Sequence, residues 1–563
     1  MDRKALIAVV VCGILMILYY PFILPLFSKK APPVEVVTEE ALHGKQEEGK
    51  AETALKAKPL SITPEIPSQT NIPPQEVTIE NELVRMVWTN DGAAIKSIQL
   101  KNFKNAEAKN TLELIKEINT EYLPLAIDNI FQRKDFRKHR YSVAEQGTNK
   151  IVFTTRLEEG VNIVKTVNLP PAQYHAEIEV AMENTTDAEI PLTYDIIASS
   201  MITHEGALNA DIAAVVGVDM GNKRTKLVRI LSKELPSKNE SAGIVWTGSV
   251  NKYFATVLKP QSSEWVASIN SQAFDAMGQP SNEKSDLGNF MVSLQTKLRL
   301  NPHDIVKHNY IYFVGPKKEE ILAQYENLHA LLSYGWLNSI SKVLLAFLNA
   351  VHRVIPNYGV SIIIMTIIIK AFLFPLTRKS QVSMYRMQQL QPMINLMKEK
   401  YKHDKQRMGK EQMLLFKKYG VNPMSGCLPM FLQLPVFIAL FRTLQLSFEM
   451  RQAPFLLWIN DLSMPDTLLS FPFHIPFIGN TLNVLPLIMT AASFGQMKTT
   501  PKTPAVDPQA QAQQKMMSFM PVIFAFILYH MPSGLTVYWT TSTLLSIIEG
   551  ILIRKSIKKI KIK

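Results

Sequence analysis

Residues 360–376 read Val-Ser-Ile-Ile-Ile-Met-Thr-Ile-Ile-Ile-Lys-Ala-Phe-Leu-Phe-Pro-Leu, an apolar run interrupted by one cation, Lys370. As a helix rising 1.5 Å per residue, such a run reaches about 25 Å, close to the roughly 30 Å hydrocarbon core of a bilayer. The stretch therefore decides the class: a chain that crosses a membrane with helices. An ammonium at the centre of a span costs roughly 2.5 to 3.5 kcal/mol on insertion scales, so Lys370 calls for a hydrated, polar surround. Thr366, one turn earlier, shares its face. In the competing reading Lys370 snorkels about 10 Å to the nearer interface and the hydroxyls bond to their own helix backbone.

Further apolar runs lie at 5–27, 428–448, 482–497, 516–529 and 535–553. Together they predict a polytopic α-helical membrane protein with six transmembrane helices. The runs at 482–497 and 516–529 are short enough to require bilayer thinning or burial in a bundle. The first is flanked by Arg3, Lys4, Lys29 and Lys30, exceeds the roughly 7 to 15 residues of a cleavable signal, and precedes no small-x-small site. Segment 1–28 is expected to be an uncleaved anchor, a cleaved signal being the alternative. Segment 29–76, with Pro32-Pro33 and Pro73-Pro74 and no hydrophobic period, reads as a tether.

Residues 77–332 change texture. Val77 and Ile79, then Val84, Met86 and Trp88, then Ala176, Ile178 and Val180 recur with period two, which predicts a large all-β antiparallel domain, a sandwich. Over 333–356, Leu337, Ile340, Leu344, Phe347, Leu348 and Val351 recur at helical spacing beside Ser339, Lys342 and His352, as in an interfacial amphipathic helix. Segment 357–553 is the five-helix core, including a cytosolic helical hairpin at 378–420, and 554–563 is a basic tail. In the hairpin Met384, Met387 and Met397 line the first helix and Met408 the second. Their soft side chains suit either the hairpin's own core or varied apolar partners.

Charged residues make up 19% of the 563 and hydrophobic ones 47%, yet the net charge is +13. Such a balance admits nucleic acid, anionic lipid, or a membrane protein with basic loops on one side. Its distribution decides: residues 377–426 carry +8, those after Ile553 +6, 498–515 +2 and 1–4 +1, against −3 for 5–358 and −2 for 449–466. Basic and acidic segments alternate as six spans with both termini cytosolic require, and the sheet domain falls on the opposite side. No specific nucleic-acid sequence is then an expected partner. Two cysteines exclude a disulfide scaffold and paired-cysteine metal sites. No HExxH, GxSxG or P-loop spacing occurs, so neither an enzyme nor a cofactor is expected. Gln433 and the run Thr540, Thr541, Ser542, Thr543 and Ser546 are the polar groups available to line a groove with Lys370. Arg442 reads as snorkelling outward, and Glu549 as an interface residue or a partner of Arg554.

Several strings carry a resemblance: Tyr334-Gly335-Trp336, Phe374-Pro375-Leu376-Thr377, Val421-Asn422-Pro423 with Gly426-Cys427-Leu428-Pro429, Gln433-Leu434-Pro435-Val436-Phe437, Arg451-Gln452-Ala453-Pro454-Phe455 through Trp458-Ile459 to Asp461-Leu462-Ser463, and Met531-Pro532-Ser533-Gly534-Leu535 with Tyr538. In register from about 334 to 553, they resemble the YidC/Oxa/Alb superfamily of membrane protein insertases. The resemblance implies five core helices around a hydrophilic groove open to cytosol and lipid and closed toward the periplasm. It also implies a periplasmic β-supersandwich in a bacterial inner membrane. Lys370 stands where the family usually has arginine, keeping the charge and losing the bidentate guanidinium. Thr366, Gln433, Tyr538, Trp539, Ser542 and Thr543 would lie on or near the groove. Nascent membrane proteins, the Sec translocon, the ribosome and the bilayer are the implied partners. The rivals are a proton-coupled secondary transporter, which inverted repeats would support, and a membrane-anchored carbohydrate-active domain.

Overall fold

The structure is a computed structural model that describes residues 72–557 apart from 117–121, 133–134, 201, 204–211, 222–223, 231–236, 240–242, 263–264, 275–279, 282–289, 333–337, 402–403, 423–427, 477 and 501–507. The expected anchor, nearly all of the tether and most of the basic tail lie outside the described residues. What is described divides into two compact units, 72–332 and 338–557.

The first unit is built from antiparallel sheets. Nine strands pair in the order Thr225–Ile230, Ala213–Asp219, Ile244–Val250, Phe254–Pro260, Ile305–Pro316, His175–Asn184, Val161–Asn168, Lys150–Arg156 and Ser142–Gln146. A second sheet centres on Val266–Phe274, Phe290–Leu300 and Ile190–Ser200, and a third joins Glu76–Glu80, Val84–Thr89, Ala94–Lys104 and Thr111–Ile115. The alternation expected from the sequence is the burial observed: Val77, Ile79, Val84, Met86 and Trp88 are buried, as are Ala176, Ile178 and Val180. The first two sheets face each other as a sandwich. Ser199 and Thr256 hydroxyls meet across them at 2.5 Å, and Tyr194 Oη lies 2.7 Å from His308 Nδ1 and 2.8 Å from Tyr310 Oη. These bonds satisfy polar groups that burial would otherwise penalise. The unit ends in a single helical turn, Glu319–Leu322, followed by a 3-10 turn at Leu328–Leu331.

The second unit is helical. Helix α1 (Asn338–Val354) is the expected amphipathic segment. Ser341, Leu344, Leu345 and Leu348 form its buried face, while Ile340 and Val343 remain exposed. Asn357 caps α2 (Tyr358–Gln389), its Oδ1 accepting from Val360 N at 3.1 Å. This helix runs through Pro375 without ending, so no boundary separates the apolar run from the first half of the helical hairpin. The chain breaks instead at Leu390, and α3 (Gln391–Lys400) starts with Pro392 in its first turn, where a missing N–H costs nothing. A single first hairpin helix is thereby corrected to two. Helix α4 (Lys405–Lys418), capped by Asp404, returns antiparallel, and Met387, Leu390, Ile394, Leu415, Phe416 and Val421 close a small core.

Helices α5 (Leu428–Leu446), α6 (Leu485–Thr499), α7 (Pro508–Leu528) and α8 (Ser533–Ser556) complete the unit. Among the described helices, α2 and α8 are long and apolar enough to cross a membrane, with shorter apolar stretches in α5 and α7. Between α5 and α6 stands a β-hairpin, Thr467–Ile475 with Gly479–Asn483, which the sequence reading did not anticipate. Leu482 therefore belongs to a strand, and the helix that follows starts at Leu485.

Candidate functional site

The loop from Phe448 to Asp466 organises one end of the helical unit. Asn357 Nδ2 donates to Phe455 O at 3.0 Å, and a Cβ on Gly359 would run into the Phe455 ring, so glycine is what lets α2 start against this loop. Ser533 N donates to Met464 O at 2.7 Å and Gly534 N to Leu462 O at 2.9 Å, which fixes the start of α8. Asp466 Oδ2 accepts from Val484 N and Leu485 N at 2.9 and 2.6 Å and caps α6. Burial raises its carboxyl pKa against the pull of these donors. Gly534 lies beside Ile362, and twelve residues on Ser546 meets Lys370, so α2 and α8 run in the same direction. At the far end Tyr385 Oη donates to Thr499 O at 2.7 Å and Gly550 abuts Thr499, drawing α2, α6 and α8 together.

Between these ends four polar side chains of α8 fall on one face. Tyr538, Ser542, Ser546 and Glu549 are spaced four, four and three apart, one stripe of about 16 Å along the helix. Gln433 Nε2 of α5 donates to Tyr538 Oη at one end of the stripe. Further along, Lys370 Nζ donates to Ser546 Oγ at 2.7 Å, and Ser546 Oγ in turn donates to Ser542 O at 2.9 Å. Lys370 is thus turned onto a neighbouring helix. Trp539 is wedged between Phe437 and Phe524, each ring centroid 4.9 Å away.

Lys370, Gln433, Tyr538 and Ser542 come together on this seam, with Trp539 beside it. Thr366 and Thr543 are buried and donate to the carbonyl oxygens of Ile362 and Trp539 in their own helices, at 2.7 and 2.9 Å. For those two residues the backbone-bonded reading is the one observed. Met387, Met397 and Met408 pack into the hairpin's own core, while Met384 is buried outside that cluster. Glu549, which the sequence offers as an interface residue or a partner of Arg554, is buried on the same stripe, three residues beyond Ser546. Its three-residue spacing from Ser546 was the available signal.

Two family models match the chain, one described as the YidC periplasmic domain over residues 76–347 and one as the 60Kd inner membrane protein over 350–560. The membrane protein insertase YidC of Pelobacter propionicus is 32% identical over 570 residues, 99% of each chain. That of Syntrophus aciditrophicus is 31% identical, covering 99% of this chain and all of the relative. A crystal structure of an active YidC insertase aligns over 86% of this chain and 94% of its own at 18% identity, with a TM-score of 0.34. Identity at this level along the whole length, with both family models in order, leads to one conclusion: the chain belongs to the YidC family of membrane protein insertases.

Proposed function

We propose that this protein inserts and helps fold integral inner-membrane proteins by drawing their polar segments onto the seam between α2, α5 and α8. The observation that carries this reading is Lys370 Nζ held by Ser546 on the polar stripe of α8, inside a unit whose other contacts are mostly apolar. A cation fixed there attracts an acidic or polar extracytoplasmic tail and shortens its low-dielectric path. The attached transmembrane segment meanwhile partitions into lipid. Burial of its apolar surface, at roughly 25 cal/mol per Å², supplies the drive without nucleotide.

In this reading six spans, counting the anchor at 1–28, place both termini in the cytosol and the sheet unit in the periplasm. The helical hairpin receives nascent chains from the ribosome, alone or beside the Sec translocon. Family membership decides against the proton-coupled transporter. The test is reconstitution in liposomes with single-span substrates. Lys370→Ala is expected to lower insertion of acidic-tailed substrates by roughly tenfold, the equivalent of about 1.4 kcal/mol, while neutral tails change little. Equal activity on both tails would remove the electrostatic role.

A further inference from the structure

The groove reading assigns Lys370 and leaves one buried ionisable group without a task. Glu549 is 9% exposed, and its Oε2 is buried without a hydrogen-bond partner. It stands one turn beyond Ser546, the residue that accepts from Lys370 Nζ, on the same polar stripe. The Lys370–Ser546 contact sets the ammonium against the α8 turn that Glu549 follows, so the two charges share one seam. Two opposite charges set on facing helices, with Lys370 directing its hydrogen bond to a serine and Glu549 keeping an oxygen unpaired, form a loose pair rather than a closed salt bridge. An unmatched carboxylate buried in a span is strongly unfavourable, so each charge makes the other tolerable.

We propose that Glu549 makes the groove amphoteric: polar segments carrying a basic side chain pair with Glu549, and those carrying an acidic one pair with Lys370. This rests on the groove reading and adds the class of segment admitted. A groove holding Lys370 alone repels a basic tail; with Glu549 beside it, either sign of tail displaces one member of the pair and finds the other waiting. Glu549 also lies on the side of Lys370 nearer the basic last turn of α8, Arg554 and Lys555. A segment arriving from that end meets the carboxylate first.

The experiment uses the full-length protein in liposomes and three single-span substrates whose short translocated tails carry one Asp, no charge, or one Lys. Glu549→Gln is expected to lower the ratio of Lys-tail to neutral-tail insertion roughly tenfold and to leave the Asp-tail ratio at or above its original value. An unchanged Lys-tail ratio, or an equal fall for all three tails, overturns the proposal. In the double variant Lys370→Gln/Glu549→Gln, which buries no unmatched charge, the Lys-tail ratio is expected to stay low and the Asp-tail ratio to fall with it. Recovery of the original ratios there overturns the proposal as well. The groove reading fails separately: Lys370→Gln without effect on the Asp tail removes it, whatever Glu549 does.

Discussion

Lys165, in the strand Val161–Asn168, is the most completely buried cation among the described residues. Its Nζ donates to Ala93 O at 2.8 Å and Leu125 O at 2.5 Å and lies 5.7 Å from the Trp88 ring centre. Burial pulls its pKa down to about 7, against roughly 10.4 in an unfolded chain. Between those values the unfolded state holds the proton and the folded state does not. Stability therefore rises with pH from about 7 to 10, by up to about 1.4 kcal/mol per unit, and below 7 the full cost of burying the ammonium is felt. His308, lowered to about 4 by burial, titrates outside this window. The urea midpoint of the sheet unit, followed through Trp88 fluorescence, is expected to climb from pH 7 to 9, and Lys165→Met to abolish the climb and raise the midpoint at pH 7. An equal slope in both proteins would assign it to other groups. At this scale the sequence is uneven in what it reveals. Ile163, Lys165 and Val167 share one strand face, so an apolar alternation with a lysine in it was there to be read. Lys370 stood out because nothing near it was charged. Glu549, close to Arg554 at a helix end, became meaningful only once Ser546 was seen to meet Lys370, because periodicity gives a residue's face and not what that face meets.

Element by element, the apolar runs located α2, α5, α6, α7 and α8, since periodicity and length are local properties. What escaped was the hairpin Thr467–Ile475 with Gly479–Asn483: Leu469, Phe471, Phe473 and Ile475 alternate with Ser470, Pro472 and His474, but the extra Leu468 and the internal Pro472 masked that two-residue period within a continuous apolar stretch. Its base is fixed: Thr467 Oγ1 donates to Asn483 Oδ1 at 3.0 Å, Asn483 Nδ2 to Tyr529 O at 2.7 Å, and Tyr529 Oη to Thr481 O at 3.0 Å. Its apolar side chains are nonetheless open, Leu469 at 54% and Phe473 at 58%, and residues 467–483 contain no Asp, Glu, Lys or Arg. A two-stranded hairpin is marginal alone in water, and its unpaired backbone edges are costly in hydrocarbon. The bilayer interface satisfies both demands, with side chains in the acyl boundary and backbone edges hydrated. A polarity-sensitive fluorophore on Phe473→Cys, in a Cys12→Ser/Cys427→Ser background, is expected to shift to the blue in liposomes and be quenched by spin-labelled lipid headgroups. The same dye on Met220→Cys, an exposed position of the sheet unit, provides the aqueous reference. Equal quenching by aqueous iodide at both sites would place the hairpin in water.

For the whole molecule, the residues of the groove lie in one compact unit. Lys370, Gln433, Tyr538, Trp539, Ser542, Ser546 and Glu549, with the loop that fixes α2, α6 and α8, fall between 338 and 557. The sheet unit has a core of its own, closed by bonds across its sheets. Nothing in the chemistry proposed for the groove draws on that core, so the sheet unit is expected to be accessory to insertion. Where to cut is a structural question. Removing 81–315 leaves Leu322, Leu328 and Leu331 behind, and these buried side chains belong to the sheet unit: Tyr325 Oη lies 3.0 Å from His175 Nδ1, and Trp246 Nε1 donates to Asn327 O at 3.0 Å. Such a remnant presents apolar surface to water and confuses misfolding with loss of function. Removal of 76–332, which joins the tether to the segment before α1, leaves no orphaned core. This variant is expected to insert acidic-tailed substrates within roughly a factor of two of the full chain, about 0.4 kcal/mol of barrier, and to keep its dependence on Lys370. A variant that remains folded in the membrane, as judged by intact α2 and α8 protection from protease, yet inserts nothing would make the sheet unit part of the working machine.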